Sequence, residues 1–275
     1  MNSGSIGVFD SGVGGLSVLR AINHQHPNED ILYLADQSHV PYGSRTLEEV
    51  RQFSESITRY FIQRGAKLVV VACNTASAAA LHHLRKTFPT VPFVGMEPAV
   101  KPAAEQTESG VVGVLATPAT FQGELYASVV ERFAHGVRIL QSTCPGLVEQ
   151  IEQGNLDGEK TQNILSQALD PMVKENIDTI VLGCTHYPFV IPQINRITGP
   201  QVRTIDPAPA IARQVGRMLD EHQLFNPAKN QGQTTYLTTG DKGKFQQFLR
   251  QMNFQGEVAS IQWEGSELMS GNLRS

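Results

Sequence analysis

The sequence predicts an α/β protein built from parallel sheets covered on both faces by helices. Short β-branched, apolar runs recur along the whole chain, and amphipathic helical stretches separate most of them. Most of the earlier and central runs, KLVVVA and GVVGVLA above all, are continuously apolar rather than alternating with polar residues. Continuously apolar strands belong to sheets buried on both sides, and helices between successive strands are the connections that a parallel sheet needs.

Taken in order, the first run is SIGVF (5–9), closed by Asp10. DILYLA (30–35), KLVVVA (67–72) and PFVG (92–95) follow, KLVVVA being the most β-branched of them. GVVGVLA (110–116), GVRILQ (136–141), DTIVLG (178–183) and QVRTI (201–205) repeat the style. Towards the C-terminus TTYLTTGD (234–241) and VASIQW (258–263) flank the helical stretch KGKFQQFLRQM, and the polar FNPAKNQGQ (225–233) reads as a loop. IGVFDSG from Ile6 is echoed by VGVLATP from Val112, and each half later offers a strand ending in cysteine, Cys73 or Cys184. That echo predicts two similar α/β halves.

Composition narrows the function classes. The 275 residues carry 22 Lys and Arg against 26 Asp and Glu, a net charge of −4, with no basic stripe to meet nucleic acid. Hydrophobic residues at 40% describe an ordinary globular chain with ample core. MNSGSIGVFD lacks the features of a signal peptide and no long apolar run follows, so no membrane association and a cytoplasmic location are expected. The three cysteines, Cys73, Cys144 and Cys184, form no C-x-x-C pair, and their odd number suits free thiols.

Two of these thiols sit where chemistry is expected. VVVACNTASAAAL (69–81) and TIVLGCTHYPFVIPQI (179–194) each run a strand into a cysteine, then into polar residues where a helix would begin: Asn74-Thr75 in one, Thr185-His186 in the other. Ligands of open parallel sheets bind beyond the carboxyl ends of the strands. A helix N-terminus there favours a thiolate and also binds an anion such as a carboxylate. An isolated cysteine is otherwise a small core hydrophobe.

The other motifs admit more than one reading. DSGVGGLSVL (10–19) fits a tight turn presenting Asp10 and Ser11, since Ser17 breaks a G-x-G-x-x-G phosphate cradle and no P-loop is present. In VPYGSRT (40–46) Tyr42 and Gly43 serve either a turn or a ligand. His186 suits proton handling beside Cys184 or a plain surface position. Glu149 and Glu152 share one helix face after Cys144-Pro145, as solvated glutamates commonly do. The cysteines and histidines show no familiar metal-ligand spacing, so no metal and no cofactor are expected. Two thiols in contact suggest disulfide exchange; two thiols separated by a substrate suggest proton removal on one face and delivery on the other, which the lack of C-x-x-C favours.

IGVFDSGVGGLSVL, VPYGSRT, VVACNTASA and LGCTHYPFV together resemble the signature segments of the glutamate racemases, cofactor-independent enzymes of the aspartate/glutamate racemase superfamily. The resemblance implies interconversion of L- and D-glutamate, with Cys73 taking the proton of the D-enantiomer and Cys184 that of the L-enantiomer. It implies substrate contacts from Asp10, Ser11, Tyr42, Gly43, Asn74, Thr75, Thr117, Thr120, Thr185 and His186. Asp10 would assist Cys73, and His186 with Glu152 would assist Cys184.

The resemblance also implies two domains, 1–97 with 208–275 and 98–207, facing each other across a cleft, and usually a homodimer. The chain starts just before its first strand, so activator dependence is not expected. Two other readings stand beside this one: an aspartate racemase or another member of the superfamily, and a non-catalytic amino-acid-binding protein. The histidine after Cys-Thr resembles the glutamate enzymes rather than the aspartate enzymes.

Overall fold

In the computed structural model, which describes residues 4–227 and 230–270, the chain forms two compact units. One comprises the chain up to Met96 and from Ala208 onward; the other is Glu97–Pro207.

The first unit opens with β1 (Ile6–Asp10), α1 (Leu16–Gln25), β2 (Ile31–Ala35), α2 (Leu47–Gln63), β3 (Leu68–Val71), α3 (Asn74–Thr87) and β4 (Phe93–Gly95). β1 is central, paired in parallel with β2 on one side and β3 on the other. All five of its residues are buried, as the apolar run requires. Phe9, Val69 and Val71 pack with Ile57 and Phe61 of α2 and Ala76 and Ala80 of α3. Gly7 makes that packing possible: a Cβ there would lie 2.6 Å from a ring carbon of Phe61. Truncating a buried phenylalanine such as Phe61 to alanine costs about 3–5 kcal/mol.

α2 starts where the sequence offers a reciprocal cap. Thr46 Oγ1 accepts the Glu49 amide at 3.2 Å, and Glu49 Oε2 accepts the Thr46 amide at 2.9 Å. The cap fixes the end of the preceding 3-10 turn Tyr42–Ser44.

The second unit runs α4 (Val100–Gln106), β5 (Val111–Ala116), α5 (Pro118–Gln122), α6 (Glu124–Phe133), β6 (Arg138–Ser142), α7 (Leu147–Glu152), α8 (Glu159–Lys174), β7 (Thr179–Gly183), α9 (Ile191–Thr198) and β8 (Arg203–Ile205). Its strands are all parallel, in the order β6-β5-β7-β8. Val112, Val114 and Val181 pack against Val100, Ala103, Tyr126 and Val129 of α4 and α6. On the opposite face the Met172 sulfur of α8 fills the space beside Gly113, 2.9 Å from where a Cβ would be.

The chain then returns to the first unit through α10 (Ala208–Glu221), β9 (Thr234–Thr238), α11 (Lys242–Gln251), β10 (Val258–Glu264) and β11 (Glu267–Ser270). α10 packs on α1, on the face of the sheet opposite α2 and α3. The first sheet is ordered β11-β10-β9-β2-β1-β3-β4. Its segment β2-β1-β3-β4 has the same order as β6-β5-β7-β8, which is the repeat heard in the sequence.

The expected class, α/β with two similar parallel-sheet halves, is the one found. Two details differ from the strand expectations. The run 234–241 stops at Thr238, because Asp241 turns the chain into α11 by accepting the Lys244 amide at 2.9 Å. β11 was not expected, and it pairs antiparallel with β10 across a turn at Gly265, where φ is 63°. The loop expected at 225–233 includes positions 228 and 229, which lie outside the described residues; Asn226 before them donates its amide to Glu29 at 2.7 Å. Among the described residues no helix is long and apolar enough to cross a membrane.

Candidate active site

In the first unit the carboxyl ends of β1, β2 and β3 gather the expected residues. The Ala72 amide bonds the Phe9 carbonyl at 2.8 Å, so the residue after β3 lies beside the end of β1. Asp10 is fully buried and accepts the Gly12 amide at 2.8 Å, closing the tight turn. A Cβ on Gly15 would come within 2.7 Å of the Asp10 Cβ. The glycine in this motif is therefore explained by close packing under Asp10, without a phosphate. Ser11, Asn74 and Thr75 are all buried.

Cys73 is the N-cap of α3, in extended backbone, and its sulfur accepts the Ala76 amide at 3.5 Å. The thiol thus stands at the positive end of a fourteen-residue helix. Beside it the Asn74 side chain is almost wholly enclosed, yet neither its Oδ1 nor its Nδ2 makes a hydrogen bond. A buried amide left unpaired is costly, and a polar ligand group or a water at Asn74 would remove that cost.

Tyr42 is buried in the same cluster, with Gly43 half-buried after it. Burial first, then the charges of Asp36, Cys73 and Asp10, hold the phenol well above its ordinary value of 10.0. Its hydroxyl donates to Asp36 Oδ2 at 2.6 Å. Sequence reasoning missed Asp36, although it follows β2 directly beside Asp10, whose register partner is Ala35.

In the second unit Cys184 follows β7 and is buried with Thr185 and His186. Here the expected helix start is corrected: a 3-10 turn, Tyr187–Val190, intervenes and α9 opens only at Ile191. Pro188 and Pro192 explain this, since a helix running on from Thr185 would place Pro192 in its interior, where it lacks the required N–H. His186 takes the place of the helix terminus. Its Nδ1 lies 3.8 Å from Cys184 Sγ, and its Nε2 lies 2.6 Å from Glu152 Oε1.

Glu152 is mostly enclosed, with a side-chain exposure of 11%. The reading of Glu149 and Glu152 as a solvated pair is therefore wrong for Glu152. An ionised carboxylate only accepts, so the imidazole turns an N–H to Glu152, and in the neutral ring the Nδ1 lone pair faces the thiol.

Thr117 caps α5, its Oγ1 accepting the Thr120 amide at 3.2 Å, and the two hydroxyls lie 3.0 Å apart. Cys144 is a different kind of thiol. Burial, then the neighbouring Cys184, push it from 9.0 up to about 12. Tyr187, also unforeseen, is buried between these two cysteines' influences and is likewise held well above its ordinary value, by burial first. None of the three cysteines is in a disulfide, and among the described residues no group of three or more His, Cys, Asp and Glu could hold a metal.

A family model described as Asp/Glu/hydantoin racemase matches residues 6–215. A glutamate racemase from Roseiflexus sp. (strain RS-1) is 50% identical over 249 residues, covering 90% of this chain and 92% of that protein. A glutamate racemase isoform from Bacillus anthracis superposes with a TM-score of 0.84 at 33% identity, over 95% of this chain and 98% of that one. The Francisella tularensis glutamate racemase, solved in complex with D-glutamate, gives a TM-score of 0.82 at 29% identity, over 97% and 99%. The chain belongs to the glutamate racemase family, within the Asp/Glu/hydantoin racemases.

Proposed function

We propose that this chain interconverts L- and D-glutamate, supplying D-glutamate for peptidoglycan, with Cys73 and Cys184 as its two acid/base groups. The observation that carries this reading is a buried strand-end thiol in each unit, each with its own polar support: a helix N-terminus at Cys73, and His186 with Glu152 at Cys184.

Racemisation at Cα requires a base on one face of the carbon and an acid on the other. The Cα–H is a weak acid, so the charge that develops toward the carboxylate has to meet fixed donors in the transition state. The first-turn amides of α3 and the unpaired Asn74 amide suit that carboxylate. Asp10, Ser11, Tyr42, Gly43 and Thr75 complete the contacts from the first unit, and Thr117, Thr120 and Thr185 supply those from the second.

At Cys184 the thiol proton passes to His186 Nδ1, leaving a thiolate beside an imidazolium that Glu152 balances. That thiolate takes the Cα proton of L-glutamate, and the Cys73 thiol delivers a proton to the other face. In the opposite direction Cys73 is the base, with Asp10 assisting, and Cys184 the acid. The enzyme works in the cytoplasm, where thiols stay reduced, as a homodimer.

The test is incubation of chelator-dialysed protein with pure D-glutamate and no added cofactor, followed by optical rotation. Decay of the signal to zero as the enantiomers equalise is expected. Binding without decay contradicts the reading, and equal turnover of aspartate contradicts its specificity.

A further inference from the structure

We propose that Trp263 and Thr239, from the last part of the chain, are positioning residues for Tyr42 and act on it through Asp36. The proposal rests on Tyr42 being a substrate contact, as read above.

Asp36 is fully buried, and four donors converge on it. Oδ2 accepts the Tyr42 hydroxyl at 2.6 Å and His39 Nδ1 at 2.9 Å. Oδ1 accepts Trp263 Nε1 at 2.7 Å and the Thr239 hydroxyl at 2.8 Å. A buried carboxylate is tolerated only when its lone pairs are used, and hydrogen bonds to an ionised group are roughly twice as strong as neutral ones. Here two donors belong to the segment carrying Tyr42, and two come from β10 and from the residue after β9. The carboxylate is the joint between them.

Other contacts follow the same seam. The Ser38 amide donates to Thr239 Oγ1 at 3.0 Å, and the Ser38 hydroxyl to the Thr239 carbonyl at 2.6 Å. The Thr238 hydroxyl donates to Gln37 Oε1 at 2.8 Å. The His39 ring lies flat on Phe53 at 3.9 Å and meets the Trp263 ring edge-on at 5.0 Å. Tyr42 has one hydroxyl proton, and Asp36 holds it, so the direction of that proton fixes how the phenol oxygen is presented. Removing a donor from Oδ1 loosens the carboxylate and with it Tyr42.

The experiment compares Tyr42→Phe, Trp263→Phe and the double variant, measuring KM and kcat with both enantiomers. Trp263→Phe keeps an aromatic ring against His39 but removes the N–H. It should raise KM on the order of 5- to 30-fold, a part of the roughly 10- to 150-fold that one hydrogen bond to a charged group is worth, because the lost bond acts on Tyr42 at one remove, with kcat far less affected. Because Trp263 acts through Tyr42, the double variant should match Tyr42→Phe alone. Thr239→Val should behave as Trp263→Phe does, and Thr239→Ser should restore KM; this pair carries the test if Trp263→Phe does not fold. A raised KM in Tyr42→Phe with an unchanged KM in Trp263→Phe overturns the proposal and leaves Tyr42 as a substrate contact. Multiplying effects in the double variant overturn it too. An unchanged KM in Tyr42→Phe removes Tyr42 from the substrate site and the proposal with it.

Discussion

Replacing Glu152 by glutamine removes one charge from the chain Glu152–His186–Cys184 and keeps its shape. The 2.6 Å contact to Nε2 then involves an amide that can donate as well as accept. The imidazole tautomer is no longer fixed, and the imidazolium loses its balancing charge. The loss of a hydrogen bond to a charged group is worth about 1.5–3 kcal/mol, which corresponds to a roughly 10- to 150-fold slower proton transfer at Cys184.

The two enantiomers are equal in energy, so kcat/KM must fall by the same factor in both directions, and rate alone cannot locate the damage. Isotope effects can. With Cα-deuterated L-glutamate the impaired transfer is the isotopically sensitive one, so the primary effect should be large. With Cα-deuterated D-glutamate, abstraction by Cys73 becomes a fast step before a slow one, and the effect should shrink. Circular dichroism of each deuterated enantiomer measures both. Equal isotope effects, or a change in kcat/KM below about twofold, would refute the relay.

Two further outcomes follow from the same geometry. Cys144→Ser should retain substantial activity, since its thiol is held protonated up to about 12, whereas Cys73→Ser or Cys184→Ser should lose roughly 10²-fold or more; equal losses in a rate assay contradict this. Burial alone would raise the Asp178 carboxyl, but the Ser109 amide, the Thr107 hydroxyl and the Glu108 amide pull it from 3.8 down to about 2. A depressed carboxylate stabilises the fold above its unfolded pKa and loses that contribution as pH falls through the folded one. Urea unfolding should therefore show Asp178→Asn weaker by ~1 kcal/mol at neutral pH, after discount for its exposure, with the gap closing between pH 3.8 and about 2. A gap independent of pH contradicts it.

Much of this was legible in the sequence because it is written locally. An apolar, β-branched run as short as LVVV in β3 reads as a doubly covered strand, and Cys73 followed by Asn-Thr and alanines marks its own helix start. What escaped depends on distant partners. Asp36 is a lone aspartate after a strand until Trp263 and Thr239 fold against it. Glu152 reads from its i, i+3 spacing alone as any glutamate, and only the family resemblance set it beside Cys184, because its contact, His186, comes from a strand end far along the chain. β11 is too short to announce itself, although the Gly265 turn before it was the available signal. At Cys184 the prolines were visible, and their effect on the helix start could have been read from them.

The most direct test of the central claim is initial-rate NMR in deuterated water, starting from D-glutamate. If Cys73 abstracts and Cys184 delivers, L-glutamate should form with deuterium at Cα while the remaining D-glutamate stays protiated, because the delivering thiol has exchanged with solvent and the abstracting thiol returns the substrate's own proton. Deuterium appearing in recovered D-glutamate as fast as product forms, or the original proton carried into L-glutamate, would contradict two separate bases.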